Sequence, residues 1–182
     1  MPTFSPFGDS LTTGHKATLA AGITAGTSYV CATATGGLTR SLGFAASGYN
    51  AYQIFDNAMA TNADVTVWMA GTNDMSQNVA RYKTRTYMFK ALDLIHAKQN
   101  LVLAIPPMIG CEDKVNDFNY WLEEIVWQSG SEFLDPWITF KDGAGCWLEG
   151  VAKIDGRHPT DTTSLALGGI IRDKILAILP AN

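Results

Sequence analysis

The sequence predicts an α/β protein, a three-layer α/β/α sandwich built around a parallel sheet. Short, continuously apolar segments alternate with longer segments in which apolar residues recur every three or four positions. The first pattern indicates strands buried on both faces, and the second indicates helices that cover them. The 182 residues contain no internal repeat, linker or low-complexity segment, so a single domain over residues 1–182 is expected.

Five strands are predicted from apolar or β-branched runs that end at turn residues. The first, 4–7, contains Pro6. Proline is poorly tolerated in a central strand because it has no N–H to donate. We therefore expect this strand to be short or irregular. The other four strands are 41–46, 64–70, 100–105 and 132–134.

Helices are predicted between the strands and after them. Residues 16–23 could form a short first helix, whereas 27–34 have strand-like composition. Residues 49–60 follow the second strand as a helix. Three later segments, which carry apolar stripes at helical spacing, are 79–98, 115–128 and about 161–179.

Composition argues against several classes of partner. The net charge is −4 and Lys and Arg are not clustered, so nucleic acid is not an expected partner. No apolar run approaches the roughly 18 residues of a membrane span, and the amino terminus lacks the pattern of a secretory signal. The three cysteines fit no zinc motif and predict free thiols, with a Cys111–Cys146 bridge as the alternative.

Four polar segments point to one crevice. Three of them follow predicted strands and one lies in the final loop: Gly8-Asp9-Ser10, Ser47-Gly48, Gly71-Thr72-Asn73-Asp74 and Asp155-Gly156-Arg157-His158. In open α/β sheets, ligands bind outside the carboxyl ends of the strands. In a flavodoxin-like five-stranded sheet of order 2-1-3-4-5, the first three strands are neighbours. Ser10, Gly48 and Asn73 are therefore expected to converge.

These residue types suit nucleophilic catalysis. Serine is a weak nucleophile until a base takes its proton, and histidine is the best-matched base near neutral pH. Asp155 precedes His158 by three residues, close enough for its carboxylate to orient the imidazole. The backbone N–H groups of Ser10 and Gly48, with the Asn73 amide, could form a three-donor oxyanion hole.

The chain resembles an SGNH hydrolase of the GDSL esterase/lipase family, which is named for Ser, Gly, Asn and His in four blocks. The four segments above match those blocks in the family's order, with weaker echoes in Asp117-Phe118-Asn119 and Phe133-Leu134-Asp135. Two features depart from the family pattern. One is Pro6, and the other is Thr160-Asp161-Thr162-Thr163, where the family often has small residues and a Gly-Tyr pair. The resemblance implies that Ser10, Asp155 and His158 are catalytic and that Ser10, Gly48 and Asn73 form the oxyanion hole.

Other residues are candidates for some of these roles. Asp9 is interpreted as a structural acid that binds nearby backbone. His15 and His96 are rival bases, both expected at the surface. Trp137 and Trp147 could stack on a sugar or simply pack, and Pro107-Met108-Ile109 could line an acyl pocket or cap the core.

The leading hypothesis is a serine ester hydrolase that needs no metal or other cofactor. It would cleave short acyl groups, such as acetyl on a small-molecule or carbohydrate ester, through an acyl-enzyme. The first alternative is a lipase, lysophospholipase or thioesterase that acts on longer acyl chains. An alternative of another class is a glycan-binding module with an idle site. Such a module would be expected to have lost Ser10, Asn73 or His158, and all three are present.

Overall fold

The computed structural model of the chain describes residues 1–14 and 28–180. Within them, six strands form one parallel sheet of order β2-β1-β4-β5-β6, with β3 also paired to β1. The strands are β1 (Thr3–Gly8), β2 (Thr39–Arg40), β3 (Phe44–Ala45), β4 (Val65–Met69), β5 (Gln99–Leu103) and β6 (Glu132–Leu134). The predicted α/β class is confirmed. So is the order 2-1-3-4-5, since β2 and β3 together occupy the place of the second strand.

Pro6 explains why two short strands, β2 before the predicted segment 41–46 and β3 within it, stand in place of one continuous second strand. The carbonyls of Phe4 and Gly8 accept hydrogen bonds from Ser41 (2.8 Å) and Ala46 (3.2 Å). Backbone groups two residues apart in a strand point the same way, so the missing N–H of Pro6 also faces this edge. The ladder breaks there, whereas β1 stays in register with β4 from Phe4 to Gly8. The expectation of a short or irregular first strand is wrong, because the irregularity falls on its neighbour.

Seven helices in the described residues surround the sheet. They are α1 (Ser10–Thr13), α2 (Tyr29–Thr33), α3 (Ala51–Phe55), α4 (Thr72–Ser76), α5 (Arg81–Ile95), α6 (Glu112–Gln128) and α7 (Asp161–Ile178). A 3₁₀ turn spans Ile138–Phe140. The helices predicted at 49–60, 79–98, 115–128 and 161–179 correspond to α3, α5, α6 and α7, and each prediction differs from the helix at one end or both.

The strand-like composition of residues 27–34 does not correspond to a strand in the structure. Residues 15–27 lie outside the described residues, and so does the predicted helix 16–23. The helix α2 begins directly after Ser28, because the Ser28 hydroxyl caps it by accepting the N–H of Val30 (3.2 Å). Tyr29 and Val30 are buried against the sheet and α7, and this packing outweighs their β propensity.

Two separate cores confirm the three-layer arrangement. Alternate residues of each strand face opposite sides of the sheet. On one side, Phe7 and Trp68 belong to a core shared with α3, α5 and α6. On the other, Phe4 and Val67 belong to a core shared with α2 and α7.

The carboxyl ends of β1, β3 and β4 meet at one edge of the sheet. Beyond β1, the N–H of Asp9 donates to the carbonyl of Met69 at the end of β4 (3.3 Å). The N–H of Ala46, just after β3, donates to the carbonyl of Gly8 (3.2 Å). The three segments predicted to supply Ser10, Gly48 and Asn73 therefore leave the sheet side by side.

Across residues 1–14 and 28–180, none of the helices combines the length and apolar character needed to cross a bilayer.

Cys111 and Cys146 are separate, half-buried thiols, so the alternative of a bridge between them is wrong.

Candidate active site

Ser10 is the first residue of α1, directly beyond the turn that ends β1. Asp9 caps this helix, because its Oδ1 accepts the N–H of Leu11 (3.0 Å). Gly8 permits the turn, since a Cβ there would collide with the Thr12 side chain and the Met69 carbonyl. The Ser10 side chain is thus held at the helix start, where unpaired backbone N–H groups gather.

A chain of two hydrogen bonds links Ser10, His158 and Asp155. Ser10 Oγ lies 2.8 Å from His158 Nε2. His158 Nδ1 lies 2.8 Å from Asp155 Oδ2. Ser10 and His158 are 148 residues apart in sequence, so the fold itself brings this nucleophile, base and acid together.

The charge on Asp155 determines the direction of both hydrogen bonds. Partial burial works to raise its pKa, but hydrogen bonds from the backbone N–H groups of Arg157 and His158 and from the His158 ring lower it to about 2. Asp155 is therefore ionised near neutral pH and can only accept. His158 Nδ1 must then donate to it, which leaves Nε2 of a neutral ring to accept the Ser10 hydroxyl proton.

The loop that carries Asp155 and His158 is fixed by backbone contacts. Asp155 Oδ1 accepts the N–H groups of Arg157 (2.9 Å) and His158 (3.0 Å). The Gly156 carbonyl accepts the N–H of Ile109 (3.1 Å) and the indole N–H of Trp147 (3.2 Å). These contacts anchor the loop to the segments after β5 and after the 3₁₀ turn.

Gly48 lies in the exposed loop between β3 and α3, with a φ of 81° that favours glycine. Its carbonyl accepts the side-chain amide of Gln77 (3.3 Å). Within the described part of the chain, the backbone N–H groups of Gly48 and Ser10 donate no hydrogen bond. Both donors are therefore available to a ligand.

Asn73 lies in α4, between the Ser10 turn and the Gly48 loop. Its Nδ2 donates to the Tyr49 carbonyl (2.9 Å) and makes a long contact with Asp9 Oδ2 (3.4 Å). No hydrogen bond joins its side chain to Ser10 or Gly48 among residues 1–14 and 28–180. The amide nevertheless touches the residue next to each of them.

Two buried carboxyl groups support these segments. Burial and the nearby Asp74 raise the pKa of Asp9 to about 7, against the lowering effect of the Leu11 N–H. Burial also raises the pKa of Asp74, although its oxygens accept the N–H of Ala51 (3.0 Å) and the Thr84 hydroxyl (2.9 Å). The structural role predicted for Asp9 is confirmed. The role of Asp74 in joining α3, α4 and α5 was missed, and its place beside Asn73 was the only signal.

Of the two rival bases, His96 is described by the structure, and it does not lie at this site. His96 ends α5 at an exposed position three residues before β5, at the opposite edge of the sheet. His15 lies outside the described residues.

The aromatic and apolar candidates separate into buried and exposed groups. Trp137 is fully buried and donates its indole N–H to the Ala104 carbonyl (2.8 Å), so it packs and does not present a sugar-stacking face. Met108 belongs to the core, whereas Ile109 is 70% exposed beside the His158 loop. Met108 of the segment 107–109 therefore caps the core, and the acyl-pocket role stays a prediction for the exposed Ile109.

The two segments that match the family pattern only weakly, around Asn119 and Asp135, have structural roles. Asn119 is buried, and its side chain binds both the N–H (2.8 Å) and the carbonyl (2.9 Å) of Ile105, just beyond β5. Asp135 accepts the N–H of Trp137 (2.9 Å) and pairs with Lys141 (2.6 Å). In the described ranges, no group of three His, Cys, Asp or Glu side chains is placed to hold a metal ion.

Comparisons with known proteins agree with this geometry. A model described as the GDSL-like lipase/acylhydrolase family matches residues 7–164, whereas no curated protein matches the chain. A structure assigned to the G-D-S-L lipolytic family from Desulfitobacterium hafniense is 13% identical, with a TM-score of 0.78 over 95% of this chain and 99% of that one. A member of the same family from Veillonella parvula is 16% identical, with a TM-score of 0.74 over 98% and 100%.

A third similar structure is a carbohydrate esterase family 3 protein from Talaromyces cellulolyticus. It is 20% identical, with a TM-score of 0.68 over 98% of both chains. At these identities, the three structures share the fold with this chain.

Proposed function

The chain belongs to the GDSL-like lipase/acylhydrolase family, and on that premise we propose that it is a serine ester hydrolase. It cleaves carboxylic esters with short acyl groups, such as acetyl on carbohydrate, through an acyl-enzyme. The observation that carries this proposal is the continuous hydrogen-bond chain from Ser10 Oγ through His158 to Asp155.

Each side chain has one task in the proposed reaction. Ser10 Oγ attacks the ester carbonyl while His158 Nε2 takes its proton. His158 then returns that proton to the departing alkoxide, which leaves as the alcohol. A water molecule attacks the acyl-enzyme, His158 again takes the proton, and the carboxylic acid is released as Ser10 regains its hydrogen. Throughout, Asp155 accepts the Nδ1–H and stabilises the imidazolium.

The developing oxyanion would be bound by the N–H groups of Ser10 and Gly48 and by the Asn73 amide. The Asn73 amide has two hydrogens. One makes the 2.9 Å bond to the Tyr49 carbonyl, and the other has only the 3.4 Å contact with Asp9. The second hydrogen is the one that the oxyanion would accept, because its present contact with Asp9 is long.

Short acyl groups are favoured by the small space beside the nucleophile. The cavity lined by Ser10, Lys153 and His158 has a volume of only about 10 Å³. Pockets that bury drug-sized ligands typically span ~300–1,000 Å³. The likeness to a carbohydrate esterase supports carbohydrate as the alcohol part of the substrate.

A longer acyl chain is the second candidate, favoured by exposed apolar side chains around the Asp155–His158 loop. Ile154 is fully exposed and Ile109 is 70% exposed. An acyl chain lying over these residues would cover them without entering the small cavity.

Substrate profiling separates the two candidates. We expect kcat/KM for p-nitrophenyl esters to be highest for acetate and to fall steadily toward palmitate, with acetate released from acetylated glycans. Ser131→Ala, which removes a serine beyond α6, is the matched control for Ser10→Ala. Highest activity on palmitate would contradict the short-chain assignment, and equal activity of Ser10→Ala and Ser131→Ala would contradict the serine mechanism.

A further inference from the structure

A cavity of about 300 Å³ lies beside the candidate active site, between α3 and the α4–α5 segment. Six residues line it: Asn50, Tyr52, Asp74, Val79, Lys83 and Tyr87. Two larger cavities, each of about 420 Å³, lie away from the Ser10 turn. One is at the amino-terminal edge of the sheet, around Met1, and the other lies between α6 and β6.

Two residues that line this cavity, Asn50 and Asp74, are close in sequence to Gly48 and Asn73 of the proposed oxyanion hole. Asn50 follows Gly48 by two residues, and its Nδ2 donates to the side-chain oxygen of Gln77 (3.2 Å). The Gln77 amide in turn donates to the Gly48 carbonyl (3.3 Å). A substrate whose ester carbonyl lies against Gly48 and Asn73 would therefore have its remainder within reach of the cavity.

The aromatic wall suits a sugar ring. The rings of Tyr52 and Tyr87 meet edge to face, with centroids 4.8 Å apart. Tyr52 is 48% exposed, so its ring can still be covered by a ligand. Tyrosine rings of this kind offer apolar contact area with a polar tip, as the C–H face and hydroxyl groups of a pyranose require.

Charged groups of both signs lie at the cavity, since the Asp56 carboxylate binds the Tyr52 hydroxyl and Lys83 supplies an ammonium group. Both oxygens of Asp74 are occupied, by the Ala51 N–H and the Thr84 hydroxyl. Lys83 is exposed and forms no ion pair within residues 1–14 and 28–180. Lys90 is not part of the lining, and its ammonium lies 5.8 Å from the centre of the Tyr87 ring. A carboxylate in the cavity would therefore pair with Lys83.

We propose that this cavity is a subsite for a pyranose unit that carries a carboxylate, a uronic acid of the glycan whose ester is cleaved at Ser10. The ring lies against Tyr52, and the carboxylate pairs with Lys83. The inference rests on the proposed function, because it assigns the sugar part of the same substrate.

Equilibrium binding tests the subsite without requiring catalysis. An unesterified xylo-oligosaccharide bearing glucuronic acid and its neutral counterpart are titrated into each protein by calorimetry. We expect the wild type to bind the acidic oligosaccharide about fivefold more tightly, a preference that Lys83→Gln abolishes. Tyr52→Ala should weaken both ligands by about threefold or more. Lys114→Gln, the same change at an exposed lysine on α6, should behave as the wild type.

Two outcomes would overturn the subsite. One is equal affinity of the wild type for the acidic and neutral oligosaccharides. The other is a charge preference that Lys83→Gln leaves intact or that Lys114→Gln removes equally. Failure of the proposed function has a different signature, since a protein without esterase activity would still show the binding pattern. Kinetics complete the test: Lys83→Gln should raise KM for an acetylated acidic oligosaccharide, whereas Lys114→Gln should leave that KM at the wild-type value.

Discussion

Asp155 divides its two carboxylate oxygens between the backbone and the base. Oδ1 holds the turn by accepting two backbone N–H groups, whereas Oδ2 faces His158 Nδ1. One side chain therefore shapes the loop and selects the tautomer of the ring it supports.

Asp155→Asn separates these two tasks. The Asn oxygen can keep the turn, but its NH₂ group would face Nδ1 and favour the tautomer with the proton on Nε2, which cannot accept from Ser10. We expect kcat to fall by about 10⁴-fold while the fold is kept, by analogy with the same change in a serine protease. The measurement is kcat on p-nitrophenyl acetate, with circular dichroism as the check on folding. A kcat within tenfold of wild type would show that Asp155 does not set the tautomer.

Asn73 contributes to the reaction through its amide, and it also tethers the Gly48 loop through Tyr49. We expect Asn73→Ala to lower kcat by about 10²–10³-fold with little change in KM, since the lost donor acts on the developing oxyanion. Gln77→Ala is the control, because Gln77 tethers the same loop through the Gly48 carbonyl and has no place in the oxyanion hole. Similar losses in both variants would assign the effect to the loop and not to the oxyanion.

The raised pKa of Asp9 predicts that the stability of the protein depends on pH. Its pKa is raised from 3.8 to about 7 in the folded chain, so the native state binds the proton more tightly than the unfolded state. The free energy of unfolding should therefore fall as pH rises from about 4 to 7, by at most about 1.4 kcal/mol per pH unit. Asp155 and Asp64, whose pKa values are lowered to about 2, act in the opposite sense and only below about pH 4.

Urea denaturation at pH 5 and pH 8 measures this contribution. The stability difference between the two pH values should shrink in Asp9→Asn and stay at the wild-type value in Asp93→Asn, an exposed carboxylate on α5. An unchanged difference in Asp9→Asn would show that Asp9 stays ionised throughout.

Among the elements, those with strong local patterns were predictable from sequence. β4, β5, β6, α5, α6 and α7 each carry an apolar run or stripe that specifies its type. The split between β2 and β3 was not predictable, because it depends on which neighbour the missing N–H of Pro6 faces. Helix α2 was predicted wrongly because its contact with α7, more than a hundred residues later, outweighs its composition.

The contact between α2 and α7 can be tested with two adjacent glycines of α7. A Cβ at Gly168 would lie 2.5 Å from the Tyr29 carbonyl oxygen, whereas a Cβ at Gly169 meets nothing within 4 Å. Gly168→Ala should therefore destabilise the protein by about 1–3 kcal/mol. Gly169→Ala should stabilise it by about 0.5–1 kcal/mol, because alanine favours a helix. Thermal unfolding of both variants is the measurement, and equal Tm shifts would contradict the packing described here.

At the scale of the whole molecule, the sheet gathers residues that are distant in sequence at one edge. The family resemblance predicted which residues would meet, and the positions of Ser10, His158 and Asp155 agree with it. The hydrogen bonds that fix the loops around the site could not be predicted. The Trp147 and Ile109 contacts to Gly156, the Gln77 contact to Gly48 and the Asp74 contacts each join elements whose spacing carries no local signal.

The central claim is that Ser10 carries the acyl group during turnover. The most direct test is to react the protein with a fluorophosphonate, which phosphonylates activated serines, and to locate the adduct by mass spectrometry of peptides. We expect a single adduct on the peptide that contains Ser10. We also expect no adduct in Ser10→Ala and slow labelling in His158→Ala, where the base is missing. An adduct on any other serine, or labelling of Ser10→Ala at the wild-type rate, would show that Ser10 does not carry the acyl group.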